Sequence, residues 1–145
     1  MVCDATCATA APDIYAAGDV ARWHNTLCDR SMRIEHWTNA VEQANAAAEN
    51  LLAGEHAAKP FAPVPFVWSD QHDRKIQCCG WMSPDDEVRI VHGTTVERRF
   101  VALYGRKGRL TGAVAVNRVR QLMGIRRQLR EGIGFDEAVA QADAG

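Results

Sequence analysis

The chain has 145 residues, 47% of them apolar, and a formal net charge of −1 at pH 7. That length holds one domain of ordinary size, or a small domain with part of another, and a charge near zero offers no global field for nucleic acid or an anionic membrane surface. No apolar run approaches the roughly 20 residues of a membrane helix, and no basic head leads an apolar run of the signal-peptide kind.

The cysteines, Cys3, Cys7, Cys28, Cys78 and Cys79, contain no C-x-x-C pair. No zinc site is expected from that spacing. Cys78 and Cys79 are adjacent, so in a strand their side chains point to opposite faces. Reduced thiols in a cytoplasmic protein are the default expectation.

In chain order, residues 1–4 and 14–17 read as two short strands. The turn Thr9-x-x-Pro12 feeds the apolar run from Ile14 to Ala17, which reads as a strand buried on both faces. It ends in Gly18-Asp19. Gly18 lets backbone approach a bulky partner, and Asp19 stands at the C-terminal tip of the strand, where open α/β sheets bind ligands. A carboxylate there accepts hydrogen bonds from sugar-like hydroxyls; the plainer reading is a solvated Asp in a turn. Residues 20–33 read as a loop, with Arg22, Arg30 and Arg33 as solvated charges.

The next segment predicts a helix. Thr38 or Asn39 is expected to cap it, and Asn39 with Glu42 has the capping-box spacing. Ala40, Val41, Ala44, Ala47, Ala48, Leu51 and Leu52 recur on one apolar face, and Gly54 stands where a helix stops. Pro60, Pro63 and Pro65 then force extended or turn conformations. The domain boundary is expected in this linker, giving domains 1–58 and 59–145.

Beyond it, strands are expected at residues 66–68, 75–81, 87–92, 99–104 and 109–116. Turns are expected at residues 69–71 and 83–86, and Gly105 to Gly108 is a hairpin turn. Asn117 is expected to cap a helix reaching about residue 130, and residues 135–142 form a last short helix with acids at its start. The predicted fold class is α+β: a C-terminal antiparallel sheet with helices on one face, preceded by two short strands and a helix.

Several stretches together carry a family resemblance. Thr9-x-x-Pro12-x-Ile14-Tyr15-Ala16-Ala17-Gly18-Asp19 resembles the second FAD fingerprint of the two-dinucleotide-domain flavoproteins. The stretches Glu35-His36-Trp37-Thr38-Asn39-Ala40-Val41-Glu42-Gln43, Pro65-Phe66-Val67-Trp68-Ser69-Asp70-Gln71 and Gly112-Ala113-Val114-Ala115-Val116-Asn117-Arg118 extend the likeness over nearly the whole chain. It is similar to the C-terminal part of the FAD-dependent ferredoxin, rubredoxin and putidaredoxin reductases.

The resemblance implies electron transfer from NAD(P)H through FAD to a small iron–sulfur protein. It implies that Asp19 hydrogen-bonds the ribityl chain of FAD. It implies that the backbone N–H at Trp37, at a helix start, stabilises negative charge on the reduced flavin ring. It implies that Trp68 lies beside the isoalloxazine ring on the side facing the iron–sulfur partner. Plainer readings stand beside these: Trp37 as a residue packing before a helix, and Trp68 as a plug between domains. Arg74 and Lys75 are candidate docking charges for a ferredoxin. Arg118, Arg120, Arg126, Arg127 and Arg130 read first as a solvated helix face. No catalytic acid or base is assigned to Glu35 or His36, and His24, His56, His72 and His92 show no metal-ligand spacing.

The family grips its nucleotides with G-x-G-x-x-G loops, and none occurs in these residues. The expectation is therefore the last third of a larger enzyme, with little activity and weak FAD binding by itself. The unpaired strands of the FAD-domain remnant are expected to invite oligomerisation. The competing expectation is a non-enzymatic dimerisation or partner-docking module with inherited FAD-site residues. Complementation by a separate polypeptide is a third.

Overall fold

The computed structural model describes residues 1–143. They form two compact units, residues 1–65 and 66–143.

In the first unit residues 1–22 do not build regular strands. They pair through isolated bridges, Val2 with Arg22, Cys3 with Thr9 and Ala8 with Tyr15. The Cys3 amide donates to Arg22 O at 2.8 Å and the Ala16 amide to Cys7 O at 3.0 Å. The expected strands at residues 1–4 and 14–17 are thus corrected. A strand needs a neighbour along its length to satisfy its backbone, and this chain folds back on itself in pieces too short to serve. Ile14 is exposed while Ala16 is buried, so the run is not covered on both faces.

The segment read as a loop, residues 20–33, instead holds a two-stranded antiparallel ribbon, β1 (Trp23–Asn25) with β2 (Arg30–Met32). Trp23 and Asn25 point inward and are fully buried. The Trp23 indole donates to Phe61 O at 2.9 Å and its ring lies 5.5 Å from that of Phe61. The Asn25 amide donates to Pro63 O at 2.9 Å, and its Oδ1 accepts from the Leu27 and Cys28 amides, closing the turn. The proline-rich stretch 59–65 is therefore held by the first unit, with Phe61 and Val64 in its core.

Helix α1 runs over Trp37–Ala53, and its N-cap is His36, without a side-chain cap. Its buried residues are Asn39, Gln43, Ala47 and Asn50. Val41, Leu51 and Leu52 are exposed, Leu52 to 88%. Both the expected cap and the expected apolar face are corrected. Asn39 is engaged inside the unit, and the helix turns an amide stripe inward.

The second unit has five antiparallel strands in the order β3-β4-β7-β6-β5: β3 (Phe66–Gln71), β4 (Arg74–Gly80), β5 (Glu87–Thr94), β6 (Arg99–Arg106) and β7 (Arg109–Val116). Residues 69–71 continue β3; the turn comes at His72, with φ 54. The register sets Val101 opposite Ala115 and Leu103 opposite Ala113. These residues are all buried on the face that receives α2 (Val119–Glu131) and α3 (Phe135–Asp143), with Leu122, Ile125, Leu129 and Phe135. Gly105 is required here, because a Cβ on it would sit 2.3 Å from the Phe135 ring.

Asn117 does not cap α2. Its Oδ1 accepts from the Lys75 amide at 2.8 Å and its Nδ2 donates to Asp73 O at 3.2 Å, so it ties the start of β4 to the end of β7. Asp86, 8% exposed, gathers Arg106, the Thr111 hydroxyl and the Ser83 amide, locking the β4–β5 turn onto the β6–β7 hairpin. The α+β class, with an antiparallel sheet and its helices on one face, is the observed one. Among the described residues no helix is long and apolar enough to cross a membrane.

Candidate functional site

The first unit brings the Gly18–Asp19 turn and the start of α1 side by side. Gly18–Val20 is a single 3-10 turn. Gly18 is buried with φ +73, and a Cβ there would meet Ala40 Cβ at 3.3 Å. Any other residue would be strained in conformation and crowded against the helix. The Gly18 amide donates to Gln43 Oε1 at 2.9 Å. Asp19, the next residue, is exposed beside this contact. Trp37, the first residue of α1, lies one turn before Ala40 and is 76% exposed. A carboxylate and the positive end of a 17-residue helix thus share one corner.

A chain of buried amides stands behind that corner. Asn39 Nδ2 donates to Ile34 O and to Gln43 Oε1, each at 3.3 Å, and Gln43 Nε2 donates to Cys7 Sγ at 3.7 Å. Burial pushes the Cys7 thiol up to about 11, against the opposing pull of the Gln43 hydrogen bond. Cys7 is therefore a neutral acceptor at ordinary pH, not a nucleophile. The Asn39 Oδ1 and His36 Nδ1 atoms are buried without a hydrogen-bond partner, which leaves unmet polar capacity at the head of α1.

Trp68 lies in the second unit, on β3 opposite Gln77. Its ring is 6.0 Å from Phe66, and the Arg126 guanidinium lies 5.0 Å over the Phe66 ring. Arg126, expected on a solvated helix face, is half-buried and stacks on an aromatic face. Trp68 is 37% exposed. The candidate docking charges are locally paired: Lys75 Nζ lies 2.8 Å from Asp70 and Arg74 2.7 Å from Asp73. Arg127 lies 3.8 Å from Glu131. Cys78 and Cys79 do point to opposite faces. Cys79 is fully buried, opposite Ala113, and burial pushes its thiol up to about 12.

Of the three residues singled out in the sequence, Asp19 and Trp37 belong to one corner of the first unit, and Trp68 belongs to the second unit's sheet. Gln43 was missed as a site residue. Its signal was present: Asn39, Gln43 and Asn50 recur at helical spacing among alanines, a stripe of amides that only burial makes meaningful. A separate hollow of about 390 Å³, lined by residues including Asp4, Thr9, Pro12, Tyr15, Leu51 and Glu55, lies away from Asp19 and Trp37.

Residues 66–144 match the family model described as reductase C-terminal. The chain belongs to that family. Residues 1–44 match the pyridine nucleotide-disulphide oxidoreductase model. The two matches fall in the order implied by the resemblance to the C-terminal part of the ferredoxin reductases. Among curated relatives, the chain is 33% identical to the 5,5'-dehydrodivanillate O-demethylase ferredoxin reductase subunit of a Sphingobium strain, over 97% of this chain and 34% of that protein. It is 37% identical to the anthranilate 1,2-dioxygenase system ferredoxin–NAD(+) reductase component of Burkholderia cepacia, over 89% of this chain and 31% of that one. In structure it superimposes on the ferredoxin reductase for the CYP199A2 system from Rhodopseudomonas palustris with a TM-score of 0.84 at 33% identity, covering 96% of this chain and 34% of the other. The reductase C-terminal chain thus spans about a third of the length of the relatives it matches.

Proposed function

We propose that this chain forms one wall of the FAD site, together with the C-terminal domain, of a flavoenzyme carrying electrons from NAD(P)H to a ferredoxin-type iron–sulfur protein. The observation that carries the reading is the seating of the Gly18–Asp19 turn on the first turn of α1, held by the Gly18 amide on Gln43. The exposed carboxylate, the glycine crowded by Ala40, and the unmet polar atoms at the head of α1 fit the ribityl side of a flavin. The names of the relatives support the partner class.

When bound, FAD would accept two electrons from a nicotinamide and pass them on singly. Asp19 accepts hydrogen bonds from ribityl hydroxyls. The Trp37 backbone N–H and the positive end of α1 offset negative charge that develops on the ring. Trp68 excludes water and offers a flat surface to the iron–sulfur partner. Arg74 and Lys75 contribute to docking at close range, since their pairing with Asp73 and Asp70 weakens any long-range steering. The cofactor-binding role falls to the first unit and the partner-facing role to the second.

These residues hold no G-x-G-x-x-G loop, so by itself the chain is expected to bind FAD weakly or not at all and to show no reductase activity. Absorption spectra of the purified chain, with FAD and with FAD plus a polypeptide bearing the remaining two-thirds of a relative, test this. Flavin retained only by the mixture supports the reading. A yellow chain that reduces ferredoxin with NADH unaided overturns this division of labour, and a mixture that never retains flavin overturns the reading itself.

A second reading, a non-enzymatic dimerisation or docking module, is favoured by the exposed apolar residues of α1, Val41 at 49% and Leu52 at 88%. A concentration-independent monomer by light scattering counts against its dimerising form.

A further inference from the structure

We infer that Gln43 is a positioning residue: one buried side chain sets the spacing between the Asp19 turn and the head of α1. This rests on the flavin reading above and adds a residue to it that touches no cofactor.

Gln43 is among the largest fully buried side chains of the protein. A buried amide is costly unless its oxygen and nitrogen find partners, and both do. Oε1 has two lone pairs; one takes the Gly18 N–H at 2.9 Å and the other Asn39 Nδ2–H at 3.3 Å. Nε2 reaches Cys7 Sγ at 3.7 Å. The same helix face accepts an apolar side chain one turn on, at Ala47, so the helix does not need an amide merely to be buried.

The partners show what the amide does. Gly18 immediately precedes Asp19. Asn39 sits in the first turn of α1, two residues after Trp37, and its own Nδ2 also holds Ile34 O on the segment entering the helix. Gln43 therefore bridges the turn that presents the carboxylate and the turn that presents the helix N-terminus. Without its oxygen the Gly18 N–H, fixed at φ +73 and buried, has no acceptor. The turn then lifts off Ala40 to reach water and carries Asp19 with it.

Asn50 is the internal control. It lies on the same buried face at the far end of α1, with Nδ2 on Thr6 O and Lys59 O and Oδ1 on the Lys59 amide, at 2.8–2.9 Å. It holds the first unit together without touching the corner.

The test compares Gln43→Met, Gln43→Glu and Asn50→Leu in the full chain. Hydrogen exchange of the Gly18 amide is followed by NMR, and FAD affinity by flavin fluorescence of each variant mixed with the N-terminal remainder of a relative. Gln43→Met should speed Gly18 exchange by at least about tenfold beyond any global change and weaken FAD by about tenfold. Gln43→Glu, which keeps an acceptor, should restore most of both. Asn50→Leu should lower stability and move neither readout per folded molecule.

Unchanged Gly18 exchange in Gln43→Met overturns the inference, as does an equal shift of both readouts in Asn50→Leu. If Gln43→Met does not fold, loss of Gly18 protection in Gln43→Glu overturns it. Failure of the unsubstituted mixture to retain FAD instead sinks the flavin reading, and the exchange measurement still decides what Gln43 does.

Discussion

The two units solve the problem of burial with different proportions of apolar and amide side chains. The second closes on itself: one face of its sheet meets α2 and α3, and Val101, Leu103, Cys79, Leu122 and Phe135 form an apolar core. The first unit adds buried amides to an apolar core that includes Trp23, Met32, Ile34, Phe61 and Val64. Asn25, Asn39, Gln43 and Asn50 are buried, while Ile14, Val20, Val41, Leu51 and Leu52 face outward. Apolar burial is nondirectional and sums over area, whereas a buried amide stabilises only when its partners are in place. The second unit should therefore stand as an independent cooperative block. The first leans more on such amides, so it should be the more specific in its geometry and the more weakly held.

The sharpest break of that comparison is native-state hydrogen exchange. Amides of β6 and β7 should open only with the whole second unit, whereas those of residues 1–22 should exchange at least about a hundredfold faster. Equal protection in both units would erase the distinction.

Next in size is Leu103→Ala, which empties a fully buried position opposite Ala113. Urea unfolding should lose about 2–5 kcal/mol, with the loss confined to the transition of the second unit. A transition of the first unit that falls equally would show the two to be one cooperative body.

Alkaline pH offers a graded test. Burial raises the Cys79 thiol from 9.0 to about 12 and the Cys7 thiol to about 11. The folded protein keeps protons that the unfolded chain gives up, so the contribution is whole below pH 9 and is lost as pH climbs from 9 toward 11–12. Cys79→Ala should flatten that decline by up to about 1.4 kcal/mol per pH unit, and Cys7→Ala should do so over a narrower span. Stability unchanged between pH 9 and 11 in the parent chain would contradict the burial of both thiols.

The smallest effect is expected at the surface. Leu52→Glu should change the stability of the isolated chain by no more than about 0.5 kcal/mol while lowering any self-association seen by light scattering. A large destabilisation would mean that Leu52 is covered in solution.

Legibility followed periodicity. The five strands of the second unit, the place of the β6–β7 hairpin and the extent of its helices were readable because alternation and turn chemistry are local, although the turn is Lys107–Gly108 and the expected Gly105 and Arg106 belong to β6. Residues 69–71 were misread as a turn, since Ser, Asp and Gln carry turn propensity that strand pairing with β4 overrides. The ribbon of Trp23–Asn25 and Arg30–Met32 escaped notice because three-residue strands are too short to show a period. In α1 the extent was legible but the inward face was not. Alanines on several sides allow more than one orientation, and only the contacts with Gly18, Thr6 and Lys59 select the amide stripe.

By itself the sequence determined the α+β class, the run of strands and helices beyond Pro65 and the residue types gathered in its recognisable motifs, because those depend on neighbours a few positions apart. Tertiary structure alone decided which side of α1 turns inward and that Gln43 joins the Asp19 turn to the helix head. It also decided that Arg126 stacks on Phe66. Each of these rests on partners distant in the chain, whose hydrogen bonds and ring contacts exist only once the backbone has closed around them.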